Sequence, residues 1–254
     1  MYGRGQQPGM RIGPPITPPI IKQIMIANAV VFLVQNLATP EIEIYGSVIP
    51  KAFWQFGYLW QPFSYMWLHA GFGHIAMNMF MLWMFGSQLA MAWGPKRFLR
   101  FYLICGVGAG LIIATYPYLM MTVHPEGLLT HTLGASGAVY GVLLGYSLTW
   151  PDRTIMLIFP PVAFRAIWLI PGLFFMSMMF SSGHNISHIG HLGGVIVGWI
   201  YLRRKGHANA IFTLGHLKSR WKRYRMRKKL RAVRYDEFEA RRRDHKKNND
   251  RKYH

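Results

Sequence analysis

Apolar residues in this chain are grouped in long blocks separated by short polar or aromatic segments, and they do not alternate as in the strands of a soluble sheet. A block of roughly 20 apolar residues is the length that an α-helix needs to cross the hydrocarbon layer of a bilayer. The pattern predicts six such spans, at about 24–39, 73–91, 98–120, 134–150, 166–180 and 188–202. We therefore expect an all-α, polytopic membrane protein, built as a bundle of six transmembrane helices.

The composition of the other segments divides the chain into three parts. Residues 1–18 are rich in Gly and Pro and predict a disordered cytoplasmic lead-in, residues 19–205 contain the membrane domain, and residues 206–254 form a cytoplasmic tail. Within the membrane domain, the connection at about 40–72 is rich in aromatic residues, which prefer the membrane interface. We expect this connection to be a structured outer loop that is partly embedded in the bilayer.

Basic residues are distributed unevenly among the connections, and this asymmetry predicts the orientation. About eleven Lys and Arg residues flank the membrane in the N-terminal segment, the even-numbered connections and the end of span six, against Lys51 alone in the other connections. Because basic connections remain cytoplasmic, both termini are expected inside. No cleavable signal peptide or transit-like leader is evident, which favours a bacterial inner membrane with span one as the insertion signal.

The tail contains 17 Lys or Arg residues in 49 positions, and the formal net charge of the chain is +20. Such a segment is typical of contact with anionic lipid headgroups, where each basic residue adds on the order of 1 kcal/mol. Binding to nucleic acid is the alternative, but attraction to phosphate needs no particular sequence. We expect anionic lipids as the partner and no specific nucleic acid.

Polar side chains, which are costly inside a bilayer, cluster at the starts of spans two, four and six. They are His69, His74, Asn78, Ser136, His184, His188 and His191. All three spans run from outside to inside, so these residues share one depth near the outer face. His74 and Asn78 are four residues apart and so lie on one helical face. His69, His184 and His188 are expected to be structural or interfacial.

Glycines recur at or near four-residue spacing in spans four and six. The positions are Gly134, Gly137, Gly141, Gly194 and Gly198. Small residues at this spacing allow two membrane helices to approach closely. If the two glycine faces meet, Ser136 and His191 come together, and a hydroxyl nucleophile then lies within reach of an imidazole base.

A third, acidic member of such a site has few candidates in this sequence. Asp152 falls on the cytoplasmic side, which leaves Glu126, in the connection before span four, as the only conceivable carboxylate partner. A Ser–His dyad is therefore the better interpretation. Acyl transfer also needs donors for the developing oxyanion. His74 and Asn78 fit that role by residue type, helical face and depth, together with the backbone N–H of Ser136.

Metal binding is the rival interpretation of the same histidines. His184, His188 and His191 are spaced so that three imidazoles would lie on one helical face, and His69 and His74 are predicted nearby, so a zinc site is arguable. However, the sequence has no HExxH motif and no carboxylate within a predicted span. A metal would also leave Ser136 and the glycine faces unexplained. We therefore expect no metal and no other cofactor.

With these residues identified, the chain resembles the rhomboids, a family of intramembrane serine proteases. The resemblance covers nearly all of 20–202 and depends on four ordered blocks, "WLHAGFGHIAMN", "GSQLAMAWGPKRFLRFYL", "GASGAVYG" and "GHLGGVIVGW". It implies that Ser136 is the nucleophile and His191 the general base, and that His74 and Asn78 line the oxyanion hole. By the same resemblance, Tyr140 packs against the catalytic imidazole.

The resemblance implies a serine endopeptidase that hydrolyses peptide bonds in or beside the transmembrane segments of membrane proteins, with its active site toward the outer face. Two positions depart from the common family pattern. Gln61 replaces an Arg in the outer loop, and Gln88 replaces a Glu in the second span; both positions support structure, whereas the reacting groups are retained. The alternative is a non-catalytic rhomboid-like protein that binds membrane clients.

Overall fold

The computed structural model describes residues 13–14, 16–37, 41–120, 122, 125–156, 162–179, 188–204 and 225–226. The α-helices in this part of the chain are α1 (Pro19–Leu37), α2 (Glu41–Gly46), α3 (Pro50–Gln55), α4 (Gln61–Ser64), α5 (Phe72–Met81), α6 (Ser87–Trp93), α7 (Pro95–Leu119), α8 (Ser136–Thr149), α9 (Leu169–Met179) and α10 (His188–Arg204). Short 3₁₀-helices occupy Tyr65–Trp67, Pro125–Leu129 and Ala166–Trp168, and two strands, β1 (Thr154–Met156) and β2 (Ala163–Arg165), complete the secondary structure.

Each of the six predicted spans coincides with a helix, but the helices differ in length. Within the described residues, three are long and apolar enough to cross a membrane, at Pro19–Leu37, Phe72–Trp93 and Pro95–Leu119. Helices α8 and α10 have 14 and 17 residues. An integral membrane protein follows from these helices, whereas the count of six spans stays a prediction.

Proline and glycine fix several helix boundaries. Helices α5 and α6 are continuous through one π-helical stretch, Leu82–Gly86, and together form the second long helix. That helix ends at Gly94, whose φ of 83° lies in the region that favours glycine. Pro95 then occupies the first turn of α7, where its missing N–H costs nothing.

Helix α8 lies at the centre of the bundle and packs against α7 and α10. Every residue from Gly137 to Leu148 is buried, which explains why its sequence is apolar on all sides. Glycine makes the packing possible: a Cβ on Gly194 of α10 would overlap the carbonyl oxygen of Gly137. A Cβ on Gly141 would lie 2.5 Å from Cys105 of α7. The backbones of α8 and α10 therefore meet directly, and the Cys105 side chain of α7 packs against α8 at Gly141.

The outer connection is built from three short helices and is joined to the segment before α8. Val48 and Thr132 form an isolated antiparallel bridge, with backbone N···O distances of 2.8 and 3.0 Å. The fully buried amide of Gln61 accepts a hydrogen bond from the Ile49 N–H at 3.1 Å. Trp60 donates its indole N–H to the Tyr45 carbonyl at 2.9 Å. The bond from Ile49 gives Gln61 a structural role in this connection, at one of the two positions where the sequence departs from the pattern of the family it resembles.

The connection between α8 and α9 contains a small two-stranded sheet, which the sequence did not predict, within a mostly helical fold. β1 pairs with β2 in antiparallel register, with Ile155 opposite Phe164. Pro160 and Pro161 lie between the strands in the sequence, and consecutive prolines oppose a continuous helix through this connection. Just before β1, Arg153 donates a hydrogen bond to the side-chain oxygen of Gln88.

The chain divides into two units, residues 1–205 and 206–254. In the first unit, the described end of the predicted lead-in contacts the bundle, since Trp83 donates its indole N–H to the Thr17 hydroxyl at 2.9 Å. The predicted basic tail lies outside the described residues except for 225–226, which form part of a helix.

Candidate active site

Ser136 is the first residue of α8 and is half-buried at the outer end of the central helix. It follows Gly134, whose φ of 125° is strained for any residue with a side chain, and Ala135, which is fully buried. The first N–H groups of a helix have no intrahelical acceptor, and they carry the positive end of the helix dipole. The start of α8 therefore combines a hydroxyl group with free backbone donors.

His191 lies one residue after Gly190 in α10, at the closest approach of α8 and α10. A Cβ on Gly137 would be 3.4 Å from the Gly190 carbonyl oxygen, and a Cβ on Gly141 would be 3.4 Å from that of Gly194. The residues that neighbour these contacts, Ser136 and His191, thus belong to adjoining turns of two touching helices. No hydrogen bond joins their side chains within the described residues.

Tyr140 provides the direct link between α8 and the imidazole ring. Its ring lies parallel to the His191 ring, with centroids 4.2 Å apart and an angle of 13° between the planes. Because Tyr140 is four residues after Ser136, the hydroxyl and the stacked ring share one face of α8. Phe174 of α9 packs edge-on against the Tyr140 ring, with centroids 5.4 Å apart. The imidazole is therefore held by ring packing.

The His191 ring is buried, with 7% of the residue exposed. Its Nδ1 atom has no hydrogen-bond partner within the described part of the chain. From the sequence, Glu126 was the only conceivable carboxylate partner for this ring. That residue belongs to the 3₁₀-helix Pro125–Leu129, and its side chain lies outside the described residues. The contact that orients the ring in the structure is the stack with Tyr140.

His74 of α5 faces the segment that leads into Ser136. Its Nδ1 accepts a hydrogen bond from the Ala70 N–H at 3.4 Å, so in the neutral ring the proton is on Nε2. A Cβ on Gly134 would be only 2.7 Å from this Nε2 atom and 2.6 Å from the adjacent Cε1. Because Gly134 has no side chain, the His74 imidazole can occupy the space beside it. An N–H donor of α5 is consequently placed beside the start of α8.

Asn78 is buried, with 6% of the residue exposed, one turn below His74. Its side-chain nitrogen donates to the His74 carbonyl oxygen at 3.0 Å. An amide nitrogen has two N–H donors, so one remains after this bond. Asn78 thus lies on the expected face of α5, with part of its donor capacity used within its own helix.

His69 contacts the site directly, although its spacing gave no reason to place it there. Only 1% of the residue is exposed. Its Nε2 accepts a hydrogen bond from the Ala135 N–H at 3.4 Å, immediately before Ser136. The ring is also edge-on to His74, with centroids 5.1 Å apart. Burial, followed by repulsion from His74, lowers the pKa of His69 from 6.5 to about 4, so the ring is neutral and free to accept this bond.

The histidines of the alternative zinc site are only partly within the described chain. His184 lies outside the described residues. The His188 ring lies 6.4 Å from the His191 ring, at a steep angle. Within the described ranges, no group of three or more His, Cys, Asp or Glu side chains has an arrangement that could hold a metal ion.

The geometry combines groups from three helices at one end of the bundle. A hydroxyl and backbone donors come from α8, and an N–H donor comes from α5. The imidazole comes from α10, and no described carboxylate pairs with it. This set of groups is suited to acyl transfer, in which a base activates a hydroxyl and donors stabilise the oxyanion.

Known proteins resemble this chain over much of its length. Residues 57–206 match the Rhomboid domain. Rhomboid protein 1, mitochondrial, of Saccharomyces cerevisiae is 32% identical over 139 residues, which cover 52% of this chain and 38% of the yeast protein. RHOMBOID-like protein 12, mitochondrial, of Arabidopsis thaliana is 28% identical over 201 residues, which cover 73% of this chain and 59% of the plant protein.

A third relative is the Presenilin-associated rhomboid-like protein, mitochondrial, of Homo sapiens, which is 30% identical over 137 residues. That match covers 53% of this chain and 35% of the human protein. The chain therefore spans between about a third and three fifths of the length of these relatives. All three carry mitochondrial names, so they give no support to the expected bacterial inner membrane.

Proposed function

The chain belongs to the rhomboid family, and from that premise we propose that it is an intramembrane serine endopeptidase. Ser136 is the nucleophile and His191 is the general base of the dyad. The observation that carries this proposal is the stack of Tyr140 on His191, one turn after Ser136 on the same face of α8. A parallel aromatic contact gives the imidazole a defined orientation where no carboxylate does so.

The proposed reaction has two stages. The Ser136 hydroxyl oxygen attacks the scissile carbonyl carbon while the Nε2 atom of His191 takes the hydroxyl proton, and the resulting imidazolium then protonates the leaving amine. We assign the base role to Nε2 because Nδ1 is the buried nitrogen. In the second stage, His191 takes a proton from a water molecule, which attacks the acyl carbon of the acyl-enzyme. The imidazolium then returns the proton to the Ser136 oxygen, which releases the second product and restores Ser136.

The oxyanion of each tetrahedral intermediate needs donors that are already in place. We assign this role to the Ser136 backbone N–H, the His74 Nε2–H and the remaining N–H of Asn78. Losing one donor of this kind typically costs about 3 kcal/mol of transition-state stabilisation. The His74 ring occupies the space that a side chain on Gly134 would fill, next to the start of α8, which supports its assignment.

The proposed substrates are the transmembrane segments of other membrane proteins. A peptide bond inside an intact helix has its carbonyl engaged in a backbone hydrogen bond, so the segment must unwind locally before attack. We therefore expect preference for segments with helix-weakening Gly, Pro or polar residues and with small residues at the cut. Cleavage that is insensitive to inserting or removing such residues would contradict this part of the proposal.

The proposed orientation follows from the basic connections. Both termini and the basic tail face the cytoplasm or an equivalent compartment, with the tail near anionic lipids, and the dyad opens toward the opposite face. We propose this orientation but no longer a bacterial inner membrane, because the relatives carry mitochondrial names and give that location no support.

The decisive experiment is cleavage of a fluorogenic single-span substrate by the purified protein in detergent and in proteoliposomes. Wild type is compared with Ser136→Ala, His191→Ala and the matched control Ser147→Ala, a buried serine of the same helix that bonds only the Leu143 carbonyl. Activity should vanish in the first two variants and persist in the third.

Equal activity in all four proteins would indicate a contaminating protease and would refute the proposed dyad. Absence of activity in wild type, across several substrates and lipids, would favour the client-binding alternative. Deletion of residues 206–254 separates these functions further, because a protease should keep peptide-bond cleavage without its tail. A binder that recruits clients through the tail should lose its function.

A further inference from the structure

The last full turn of α1 is joined to the segment before α5 by a pair of hydrogen bonds. The side-chain amide of Gln35 donates its N–H to the His69 carbonyl oxygen and accepts from the His69 backbone N–H, both at 3.0 Å. The glutamine amide thus pairs with one residue of the chain as a neighbouring β-strand would, satisfying the donor and the acceptor together.

The same residue, His69, extends this connection to the nucleophile. Its backbone is held by Gln35, and its ring accepts the hydrogen bond from the Ala135 N–H, next to Ser136. The ring is almost completely buried and packs edge-on against His74. A displacement of the His69 backbone would therefore move its ring, and both the start of α8 and the His74 donor would lose a fixed neighbour.

Packing alone does not hold this end of α1. The large apolar side chains around Gln35 are mostly exposed in the structure, with 60% of Leu33, 50% of Val34 and 86% of Leu37 accessible. The buried residues of α1 are Ile21, Ile24 and Asn28, all in its first half. Phe32, one turn earlier, is partly buried against the core, and beyond it the paired hydrogen bonds of Gln35 tie the end of α1 to the segment before α5.

We propose that Gln35 is a positioning residue of the reaction: through the His69 backbone, it fixes the imidazole that holds Ala135 and so sets the position of Ser136. This inference rests on the proposed protease function. Its consequence is that a polar side chain of the first helix, remote from the dyad in sequence, controls the turnover rate while contributing little to substrate binding.

The test exploits the two-way pairing of Gln35. In Gln35→Glu, a protonated carboxyl group can still donate to the His69 carbonyl and accept from the His69 N–H, whereas an ionised carboxylate has no donor. Activity of this variant, relative to wild type at the same pH, should therefore be high at low pH and fall as the pH rises and the carboxyl group ionises. Gln35→Ala should be at least 10-fold slower in kcat at every pH, with KM changed less than 2-fold.

Other titrating groups near Gln35 must not produce the same profile. Within the described residues, the titratable groups on α1, on the elements that contact it and on the adjoining loop include Lys22, Tyr65, His69, His74 and Tyr102. Each is present in wild type and in both variants, so its titration cancels in the ratio of Gln35→Glu to Gln35→Ala. Asn36→Asp is the matched control: Asn36 is exposed and its amide donates to Phe32 of its own helix, so the ratio to wild type should not depend on pH.

Three readouts separate this inference from the proposed function. Wild-type cleavage and labelling of Ser136 by a fluorophosphonate test the dyad; if both fail, the protease proposal fails first. If wild type is active and Gln35→Ala matches its kcat, the positioning role is wrong. A Gln35→Glu ratio that is flat with pH, while thermal unfolding shows a folded protein, would also overturn it. If Gln35→Ala does not fold, the pH-dependent ratio of Gln35→Glu to wild type decides the question alone.

Discussion

The substitution Gly134→Ala tests the proposed oxyanion site without removing any reacting group. A Cβ on this residue would lie 2.6 Å from Cε1 and 2.7 Å from Nε2 of His74. Ordinary van der Waals contact begins near 3.4 Å, so the imidazole ring would have to retreat by about 0.8 Å. The φ of 125° is also unfavourable for alanine.

The expected magnitude follows from these two effects. Holding a side chain in a sparsely populated backbone region costs on the order of 1–3 kcal/mol, which should appear as reduced thermal stability. A misplacement of about 1 Å near the reacting atoms can reduce the rate by about 100-fold. We therefore expect Gly134→Ala to remain folded but to lose about 100-fold in kcat, because the His74 N–H no longer reaches the oxyanion.

The assay is cleavage of a single-span substrate, with thermal unfolding and gel filtration as checks of folding. Gly73→Ala is the matched control: this glycine of α5 directly precedes His74, and a Cβ there would meet nothing within 4 Å. It should retain wild-type kcat. Wild-type activity in folded Gly134→Ala would refute the placement of His74 against this glycine, and an equal loss in Gly73→Ala would show a general intolerance of α5.

Three further outcomes are expected. Tyr140→Phe should keep kcat within about 3-fold because the ring still stacks on His191, whereas Tyr140→Ala should lose at least 10-fold, measured as kcat at saturating substrate. Gln61→Ala should destabilise the fold by about 1–3 kcal/mol, since it leaves a buried backbone donor unpaired, while exposed Gln55→Ala should leave thermal unfolding unchanged. Because burial lowers the pKa of His69 to about 4, the unfolded chain takes up a proton below about pH 6.5 before the folded chain does. The contribution of His69 to the free energy of unfolding should be constant above that pH and fall by at most about 1.4 kcal/mol per pH unit toward pH 4. This pH dependence should be absent in His69→Gln.

The glycine pattern was the most informative signal in the sequence. Four-residue spacing predicts that two helices approach closely, and the structure brings the Gly137 carbonyl against Gly194. Backbone contact between membrane helices depends on the absence of side chains, and glycine is visible in the sequence, so an approach of this kind can be predicted. The boundaries were less accurate: α1 begins at Pro19 and not near residue 24, since apolar blocks do not record helix caps.

Contacts made by backbone atoms could not be predicted. His69 was expected to be structural or interfacial, because a histidine near a predicted helix end gives no indication of which N–H its ring accepts from. Gln35 gave no signal at all, since its partners are the N–H and carbonyl of another residue. Likewise, the pairing of β1 with β2 depends on a hairpin of few residues, which apolar composition does not distinguish from a helix. Such contacts carry no side-chain signature.

Within the part of the chain that the structure describes, no carboxylate contacts His191, and a membrane bundle gives a physical reason for this. An ionised acid next to the dyad would have to be buried within apolar helices, at a cost of several kcal/mol unless it is fully paired. The Tyr140 ring orients the imidazole with no such cost, since aromatic rings pack favourably in apolar surroundings. The close approach of α8 and α10 at their glycines brings the two rings together. In the proposed enzyme, the accuracy of the dyad therefore depends on helix packing, so substitutions that separate α8 from α10, such as Gly194→Ala, should reduce kcat as severely as loss of the stacked ring.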